Sequence, residues 1–278
     1  MKDRLTEKLA RLIRETSSSL PDDVEAALRN ALRKEKGNPS AQVVVRTILD
    51  NVALARSAES PLCQDTGTLA FYVSAGLRRT VTPERIKAAV AAATAAGALR
   101  KNCIDSIDGK SHDDNCAPGA PVIHYVEDSG RTVTLLMKGG GSENMSRQYS
   151  LPDATLGAGR DMDGVRRCIL DAVVKAQGYG CAPGILGVCI GGDRATAYEV
   201  AKEQLLRRLD DSAVDSRLAK LEKNILRDAN SLGIGPMGLG GKTTLLGVKI
   251  AARPRVPASF FVTVAYMCWA CRRRTIAL

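Results

Sequence analysis

Cysteine is the residue type in this sequence that offers the widest range of chemistry. The eight cysteines are Cys63, Cys103, Cys116, Cys168, Cys181, Cys189, Cys268 and Cys271. The opening residues, Met1-Lys2-Asp3-Arg4, lead into a charged amphipathic pattern and not into a signal peptide, so we expect a cytoplasmic protein with reduced thiols. Cys168 and Cys189 stand in apolar segments and are predicted to belong to the core. The other thiols are candidates for metal binding.

Three of these cysteines stand next to turns or at the end of a predicted strand. Cys63 lies in Pro-Leu-Cys-Gln-Asp-Thr-Gly, Cys181 lies in Gly-Tyr-Gly-Cys-Ala-Pro-Gly, and Cys268 follows a predicted strand. Thiolates bind iron–sulfur clusters, and three ligands on a four-iron cluster would leave one iron open as a Lewis acid for a substrate hydroxyl. Their spacing alone is equally typical of three ordinary buried cysteines.

Two local motifs lack what their usual chemistry requires. Cys268-Trp269-Ala270-Cys271 is a lone CxxC pair, whereas a structural zinc site uses four ligands and a redox pair needs a βαβ setting. The two histidines, His112 and His124, have no ligand spacing. Gly238–Thr244 looks like a phosphate loop, but Pro236 stands where that pattern needs its first glycine. We therefore expect neither structural zinc nor a nucleotide site.

The charge and composition narrow the class of partner. The formal net charge is +10, and aromatic residues make up 4% of the chain. Recognition of nucleic acid needs a basic face with groove-reading or stacking side chains. Lys and Arg are scattered here, apart from the charged tail Arg272-Arg273-Arg274, so we expect no nucleic acid partner. A small anionic substrate, an acidic partner subunit or plain solubility fits this charge. Apolar runs such as Ala258–Met267 are far shorter than the roughly 20 residues of a membrane helix, so we expect no membrane partner.

The hydrophobic periodicity predicts helices first, then strands and helices mixed. The predicted helices are three within residues 3–58, then 82–96, 161–176, 194–209 and 216–231. The predicted strands are Thr68–Ser74, Val122–Glu127, Thr132–Met137, Ile185–Ile190, Thr244–Ala251 and Ser259–Met267. Asp128-Ser129-Gly130 predicts a hairpin between the second and third strands. This order favours an α+β fold, with a helical N-terminal region and mixed elements around one site, in a single domain over residues 1–278.

Longer motifs follow one another across nearly the whole chain. They are PLCQDTG (61–67), LRKN (99–102), DNCAPGAPVIHY (114–125), KGGGSEN (138–144), GCAPG (180–184), VCIGGD (188–193), NSLGIGPMGLGGKTT (230–244) and CWACRR (268–273). In this order they resemble the alpha subunit, the iron–sulfur catalytic domain, of class I fumarate hydratases and L-tartrate dehydratases. The resemblance implies a hydro-lyase that adds or removes water across a small dicarboxylate, fumarate/malate first and tartrate next.

The resemblance also implies particular residues for the site. Cys63, Cys181 and Cys268 would bind a [4Fe-4S] cluster with one open iron, and Cys268 matches the family's cysteine better than Cys271 does. Gln64 and Asp65 would contact substrate, and Asp65 would take part in proton transfer.

The substrate's anionic groups would be bound by a guanidinium and by backbone amides. The resemblance implies that Arg100 pairs with a substrate carboxylate, whose geometry matches a guanidinium fork. Gly140 and Gly141 would offer N–H groups to an anionic oxygen. A surface charge at Arg100 and a simple tight turn at the glycines are the alternatives.

This sequence departs from the family pattern at two places. Residues 254–259 read Pro-Arg-Val-Pro-Ala-Ser, where the family usually has His-x-His-Pro-Ala-Ser, so Val256 replaces a polar substrate contact. Cys116 stands where the family usually has threonine. These changes bear on the substrate more than on the cluster, because a valine side chain cannot hydrogen-bond a carboxylate.

Single-chain relatives of this family have a second domain after this one, whereas this sequence ends at Leu278. We therefore expect a separate beta subunit that contributes to the active site, and a higher hetero-oligomer. Two other functions stay open: a non-catalytic iron–sulfur subunit, and a basic binding protein with unliganded cysteines.

Overall fold

A computed structural model describes residues 3–278. The α-helices in this part of the chain are α1 (Arg4–Ser18), α2 (Asp22–Lys34), α3 (Pro39–Ser57), α4 (Pro83–Ala95), α5 (Gly140–Glu143), α6 (Met162–Ala176), α7 (Arg194–Gln204) and α8 (Ser216–Ser231). The strands are β1 (Thr68–Ser74), β2 (Cys103–Ile104), β3 (Ser111–His112), β4 (Val122–Val126), β5 (Thr132–Lys138), β6 (Arg147–Ser150), β7 (Gly184–Gly191), β8 (Leu245–Arg253), β9 (Phe261–Met267) and β10 (Arg272–Ala277). Short 3-10 turns occupy Ala75–Leu77 and Pro236–Gly238.

Local sequence signals explain where several helices begin. The Asp3 side chain accepts a hydrogen bond from Leu5 N (3.3 Å) and caps α1. The Asn38 side chain accepts from Ala41 N (3.2 Å) just before Pro39, the first residue of α3, where the fixed φ of proline favours a helix start. These caps satisfy amide groups that have no partner inside the helix.

The chain divides into two compact units. Within the described residues, the first contains residues 3–21, Asp50–Gly140 and Ala270–Leu278, and the second contains Asp22–Leu49 and Gly141–Trp269. Both helix, at about 41%, and strand, at about 22%, are abundant, and the sheets are mixed. The predicted α+β class is therefore confirmed, whereas the single domain over residues 1–278 stays a prediction.

A mixed four-stranded sheet forms the centre of the first unit. Its strand order is β10-β5-β1-β4, in which β1 pairs parallel with β4 and antiparallel with β5. The core of this unit joins α1, through Leu9 and Ile13, to β1, through Phe71, and to α4, through Ile86 and Val90. The apolar stripes that predict these helices thus face one side of the sheet.

The predicted hairpin between the second and third strands is wrong. β4 and β5 do not pair with each other, because β1 lies between them and pairs with both. The turn at residues 128–130 does connect them along the chain. A local turn signal cannot show that a third strand occupies the gap between its two neighbours.

A second mixed sheet, of order β6-β9-β7-β8, forms the centre of the second unit. Its central strand β7 is buried at every position and reads as a continuous apolar run, as expected of a strand covered on both faces. Helix α7 approaches β7 so closely that a Cβ added to Gly187 would stand 2.0 Å from the Ala201 carbonyl oxygen. Glycine is therefore required there by the strand–helix contact. By contrast, a Cβ added to Gly76, in the first unit, meets nothing within 4 Å.

Two cations of the second unit, the half-buried Arg207 and the buried Lys249, donate to carboxylates. Arg207 donates to Glu222 (2.9 Å) and to Asp211 (2.7 Å), and the buried Lys249 ammonium donates to Asp211 Oδ1 (2.8 Å). Burial opposes ionisation of Asp211, but the hydrogen bonds and charges of Arg207 and Lys249 outweigh it and lower the pKa of that carboxyl. The charges of this unit thus compensate one another locally.

No helix within residues 3–278 combines the length and the apolar character needed to cross a membrane.

Candidate active site

The segment that contains Cys63 is fixed at its start by buried contacts in the first unit. Leu62 is buried, its N–H donates to Ser17 O (2.9 Å), and its carbonyl accepts from Asn51 Nδ2 (3.0 Å). Cys63 follows, half-buried, before the exposed Gln64. The segment ends at Gly67, where φ is +74° and a Cβ would lie 2.3 Å from a strand carbonyl, so only glycine fits.

Arg100 is held at its backbone and touches Gln64 through its side chain. Its N–H donates to Thr66 Oγ1 (3.2 Å), and its carbonyl accepts from Asn115 Nδ2 (2.8 Å). Its Nη1 donates to Gln64 Oε1 (3.4 Å). The guanidinium is otherwise exposed, which leaves it able to bind an anion.

Asn115 is the buried centre of the network that holds this segment. Its Oδ1 accepts from Asn102 N (2.8 Å) and Cys103 N (3.0 Å), and its Nδ2 donates to Thr94 Oγ1 (3.0 Å) as well as to Arg100 O. The residue is 5% exposed and has φ of +59°, a conformation that asparagine tolerates better than most residues. All the hydrogen-bonding capacity of its amide donors is used inside the protein.

A second asparagine connects this network to the Cys63 segment. Oriented to satisfy the donors around it, the Asn102 amide oxygen accepts from the N–H groups of Thr66 (3.1 Å) and Gly67 (3.2 Å). The residues on either side of Arg100 and those after Cys63 are thus held against each other within one unit.

A cavity of about 470 Å³ opens beside these residues. Four residues predicted to contact substrate line it: Gln64, Asp65, Arg100 and Gly140. The other lining residues are Gly67, Thr68, Leu69, Asn102, Cys103, Ile104, Asn115, Ala120 and Pro121. A cavity of this size with apolar walls and a few convergent polar groups is typical of a small-ligand site.

The carboxylate of Asp65 lies beside Gly139. A Cβ added to Gly139 would stand 2.8 Å from Asp65 Oδ2, so the missing side chain makes room for the carboxylate. Gly140 follows and lines the cavity, whereas Gly141 belongs to the second unit and is absent from the lining.

Cys181 and Cys268 lie together in the second unit. The carbonyl of Cys181 accepts from Trp269 N (3.3 Å), and both thiols lie near Tyr266. Burial raises the pKa of Tyr266, and the two cysteines raise it further. The Tyr266 ring leaves no room for a side chain at Gly180 or Gly184, where an added Cβ would come within 2.4 Å of it. This packing fixes the loop in which Cys181 adopts φ of +51° and is exposed.

The glycine-rich loop 233–241 supports the Cys181 loop and already binds an internal carboxylate. Met237 N donates to Ala182 O (2.8 Å). Lys242 N donates to both carboxylate oxygens of the fully buried Glu35 (2.9 and 3.0 Å). The phosphate-loop-like sequence thus uses a backbone amide to hold Glu35, and its role in the fold is structural.

Cys63 belongs to the first unit, and Cys181 and Cys268 belong to the second. Among residues 3–278, no group of three or more His, Cys, Asp or Glu side chains is placed to hold a metal ion. Each thiolate of a four-iron cluster binds a different iron, so a cluster does not need sulfurs that converge on one ion. The three cluster ligands stay a prediction from the resemblance.

Three of the other thiols are buried and two are half-buried, and of these five only Cys103 lines the cavity. Cys168 and Cys189 are fully buried, which confirms the prediction that they belong to the core, and burial raises the pKa of each to about 11. Cys271 is also buried. Cys103 and Cys116 are half-buried, and burial together with the charge of Asp114 raises their pKa values.

Val256, which replaces a polar residue of the family motif, lies on the turn between β8 and β9 and is 65% exposed. The carbonyls of this turn are held by arginines: Arg160 donates to Pro257 O (3.1 Å) and Ala258 O (2.8 Å), and Arg255 donates to Val256 O (3.3 Å). These hydrogen bonds hold the backbone of the turn, while the valine side chain is largely exposed.

Comparison with known proteins now adds to this geometry. The family described as fumarate hydratase (Fumerase) matches residues 6–277. This chain belongs to the fumarate hydratase family. The resemblance predicted from the motifs is thereby confirmed.

Members of the fumarate hydratase family in three organisms are similar over almost all of the chain. A "putative fumarate hydratase class I" of Geobacillus stearothermophilus is 48% identical over 278 residues, which cover 98% of this chain and 54% of the relative. A "putative L(+)-tartrate dehydratase subunit alpha" of Methanocaldococcus jannaschii is 33% identical, with 97% and 96% covered. The "L(+)-tartrate dehydratase subunit alpha" of Escherichia coli K12 is 29% identical, with 99% and 90% covered. The chain thus spans about half the length of the first relative and nearly all of the other two.

Reasoning from the sequence missed the residues that organise the site. Asn102 and Asn115 both lie inside the motifs LRKN and DNCAPGAPVIHY, but no local pattern shows the hydrogen bonds that they make. An asparagine between polar turns is a signal of left-handed backbone, and this signal could have marked Asn115. Arg272, described below, was read as part of a charged tail.

Proposed function

We propose that this chain is the iron–sulfur subunit of a hydro-lyase that reversibly hydrates a small dicarboxylate, fumarate/malate first and tartrate next. The observation that carries the proposal is the cavity of the first unit, lined by Gln64, Asp65, Arg100 and Gly140. Membership of the fumarate hydratase family supports the same reaction class.

The chain's own residues bind and orient the dicarboxylate. Arg100 donates to one carboxylate in a charge-assisted pair, which is stronger than a neutral hydrogen bond. Gln64 holds the guanidinium in place from the side, through the contact at 3.4 Å. The amide of Gly140, which lines the cavity, offers an N–H group to an anionic oxygen, and the same role for Gly141 depends on the resemblance alone.

Asp65 holds or moves a proton during the reaction. Asp65 lines the cavity, and its Oδ2 lies beside Gly139, where the absence of a side chain makes room for it. A carboxylate within hydrogen-bond reach of substrate is a suitable proton acceptor or donor. The proposed role of Asp65 thus depends on the open space that Gly139 leaves.

Cys63, Cys181 and Cys268 are the proposed ligands of a [4Fe-4S] cluster. The class I family is generally iron–sulfur dependent. The chemistry of the donor set fits such a group, because none of the three thiols is in a disulfide and none is fully buried. When bound, the cluster supplies a Lewis acid for the substrate hydroxyl.

A separate beta subunit is the proposed partner, within a cytoplasmic hetero-oligomer. Relatives of nearly the same length are named alpha subunits, which supports a second chain. The net charge of +10 favours both an acidic partner and a dianionic substrate.

The test is anaerobic purification of the chain with its beta-type partner. We expect about four irons per chain with visible absorbance, and dehydratase turnover on at least one of fumarate, mesaconate, malate and tartrate. Arg100→Met removes one charge-assisted contact of about 1.5–3 kcal/mol, so kcat/KM is expected to fall roughly 10- to 100-fold. Arg79→Met, an exposed arginine outside the cavity, is the matched control and leaves kcat/KM unchanged.

Three results would contradict the proposal in different ways. Absence of iron from the anaerobic complex would refute the proposed iron–sulfur cofactor. A full iron content without turnover on any of the four acids would favour the non-catalytic subunit, for which the exposed Val256 is the supporting feature. Equal kcat/KM values for Arg100→Met and Arg79→Met would refute the proposed contact between Arg100 and substrate.

A further inference from the structure

Arg272 is a fully buried cation whose guanidinium is only partly hydrogen-bonded. It is the first residue of β10, pairs with Met137 of β5, and is 1% exposed. Its Nη2 donates to the Asp65 carbonyl oxygen (2.8 Å). Within residues 3–278, its Nε and Nη1 are buried and have no hydrogen-bond acceptor.

This situation is strongly unfavourable for a guanidinium. Arginine stays ionised, and a buried charge needs both a counter-charge and acceptors for its N–H groups. Arg207, a half-buried arginine of the second unit, reaches two carboxylates. Arg147 of that unit has one buried donor, Nε, without an acceptor in the described residues, whereas Arg272 has two. Two orphaned donors on Arg272 therefore indicate an anion that belongs to the functional molecule.

The place of Arg272 narrows the choice of anion. The carbonyl that it binds belongs to Asp65, two residues beyond Cys63, and Arg272 itself follows Cys268 by four residues. It is absent from the lining of the cavity that contains Arg100, which argues against a substrate carboxylate. A four-iron cluster bound by three thiolates has a net negative charge and sulfur atoms that accept hydrogen bonds.

We propose that Arg272 is the buried counter-charge of the iron–sulfur cluster, whose sulfur atoms would accept from its Nε–H and Nη1–H groups. This inference depends on the proposed function, since it presumes that Cys63 binds a cluster. Through Nη2, the same side chain holds the carbonyl of Asp65, in the peptide that follows Asp65. Arg272 is thus a positioning residue and not a catalytic one.

The test compares Arg272→Gln, Arg272→Lys and the control Arg274→Gln in the anaerobically purified complex. Arg274 lies two residues along the same strand, where it is partly exposed and pairs with Glu15 and Ser19. The readouts are the reduction potential of the cluster, followed by electron paramagnetic resonance, and the rate of iron loss to a chelator. Neither depends on turnover.

Loss of the positive charge in Arg272→Gln is expected to disfavour the reduced cluster. At a fixed potential, the ratio of reduced to oxidised cluster should fall about tenfold, which corresponds to about 59 mV for one electron. Arg272→Lys keeps the charge but loses the planar fork, so its potential should stay near the wild-type value while iron loss becomes several-fold faster. Arg274→Gln should match wild type in both measurements.

In the cluster-free protein, the substitution Arg272→Gln is not expected to lower stability toward urea. With no anion present, the charge of Arg272 is uncompensated, so Arg272→Gln in the iron-depleted complex should resist urea at least as well as wild type. A merely structural arginine would make this variant less stable with or without iron.

Several outcomes would overturn the inference. It fails if both Arg272 variants keep the wild-type potential and iron-loss rate, or if Arg272→Gln is equally destabilised with and without iron. If Arg272→Gln does not accumulate, Arg272→Lys decides the question through its iron-loss rate, and an unchanged rate refutes the proposal. A wild-type complex that binds no iron would instead refute the proposed function.

Discussion

Replacement of Asn115 tests whether the network beside the cavity holds Arg100 in place. Asn115→Ala removes two hydrogen bonds accepted by Oδ1 and two donated by Nδ2, all between 2.8 and 3.0 Å. A buried hydrogen bond contributes roughly 0.5–1.5 kcal/mol, and polar groups left without a partner cost more. We expect the free energy of unfolding to fall by about 3–5 kcal/mol.

The backbone at this position makes a second, sharper expectation possible. Alanine at φ of +59° is strained, whereas glycine is not. Asn115→Gly should therefore be more stable than Asn115→Ala by about 1 kcal/mol, although it removes the same four hydrogen bonds. Urea unfolding followed by circular dichroism measures both variants. Asn38→Ala, which removes one hydrogen bond at the start of a helix, is the control and should cost about 1 kcal/mol.

Two results would refute this reasoning. If Asn115→Ala is no less stable than Asn38→Ala, the four hydrogen bonds do not act as a buried centre. If the alanine and glycine variants are equally stable, the positive φ does not contribute. In the complex with the proposed beta subunit, the same variants should raise KM for the dicarboxylate more than they lower kcat, since the proposed contact of Arg100 is with a carboxylate of the bound substrate.

Three further predictions concern packing, pH and thiol reactivity. Gly187→Ala should lower the free energy of unfolding by at least about 2 kcal/mol in urea, because its Cβ meets a helix carbonyl, whereas Gly76→Ala should be neutral or slightly stabilising. The pKa of Asp211 is lowered in the folded state, so its contribution to stability is complete above the unfolded pKa of about 4 and is lost as the pH falls through the folded value. Asp211→Asn should therefore flatten the loss of stability below pH 4. An unchanged dependence of stability on pH would contradict this. Cys168 and Cys189, each with a pKa of about 11, should stay unmodified by a thiol reagent at pH 8 until the protein unfolds, as mass spectrometry of labelled peptides can establish.

The sequence predicts most helices and strands of this fold because their apolar periodicity is strong. It also indicates Gln64, Asp65 and Arg100 through motifs, and these residues do line one cavity. The pairing of β1 with both β4 and β5 could not be predicted, because strand neighbours depend on tertiary contacts and not on the turn that joins two segments.

The last strand was missed for a different reason. Arg272-Arg273-Arg274 is typical of a solvated tail, since consecutive arginines rarely enter a sheet interior. The structure nevertheless buries the first two in β10. Asn115 was missed because its importance depends on four partners far away in sequence, which no local pattern shows.

The buried carboxylate of Glu35 affects the order in which parts of this protein can fold during synthesis. It follows α2, near the beginning of the chain, yet it anchors Lys242, more than two hundred residues later. The loop before Lys242 in turn supports the loop of Cys181 through Met237. During synthesis on the ribosome, the Cys181 loop therefore cannot reach its final form until Lys242 has emerged, and a truncation that removes α2 and Glu35 would release it.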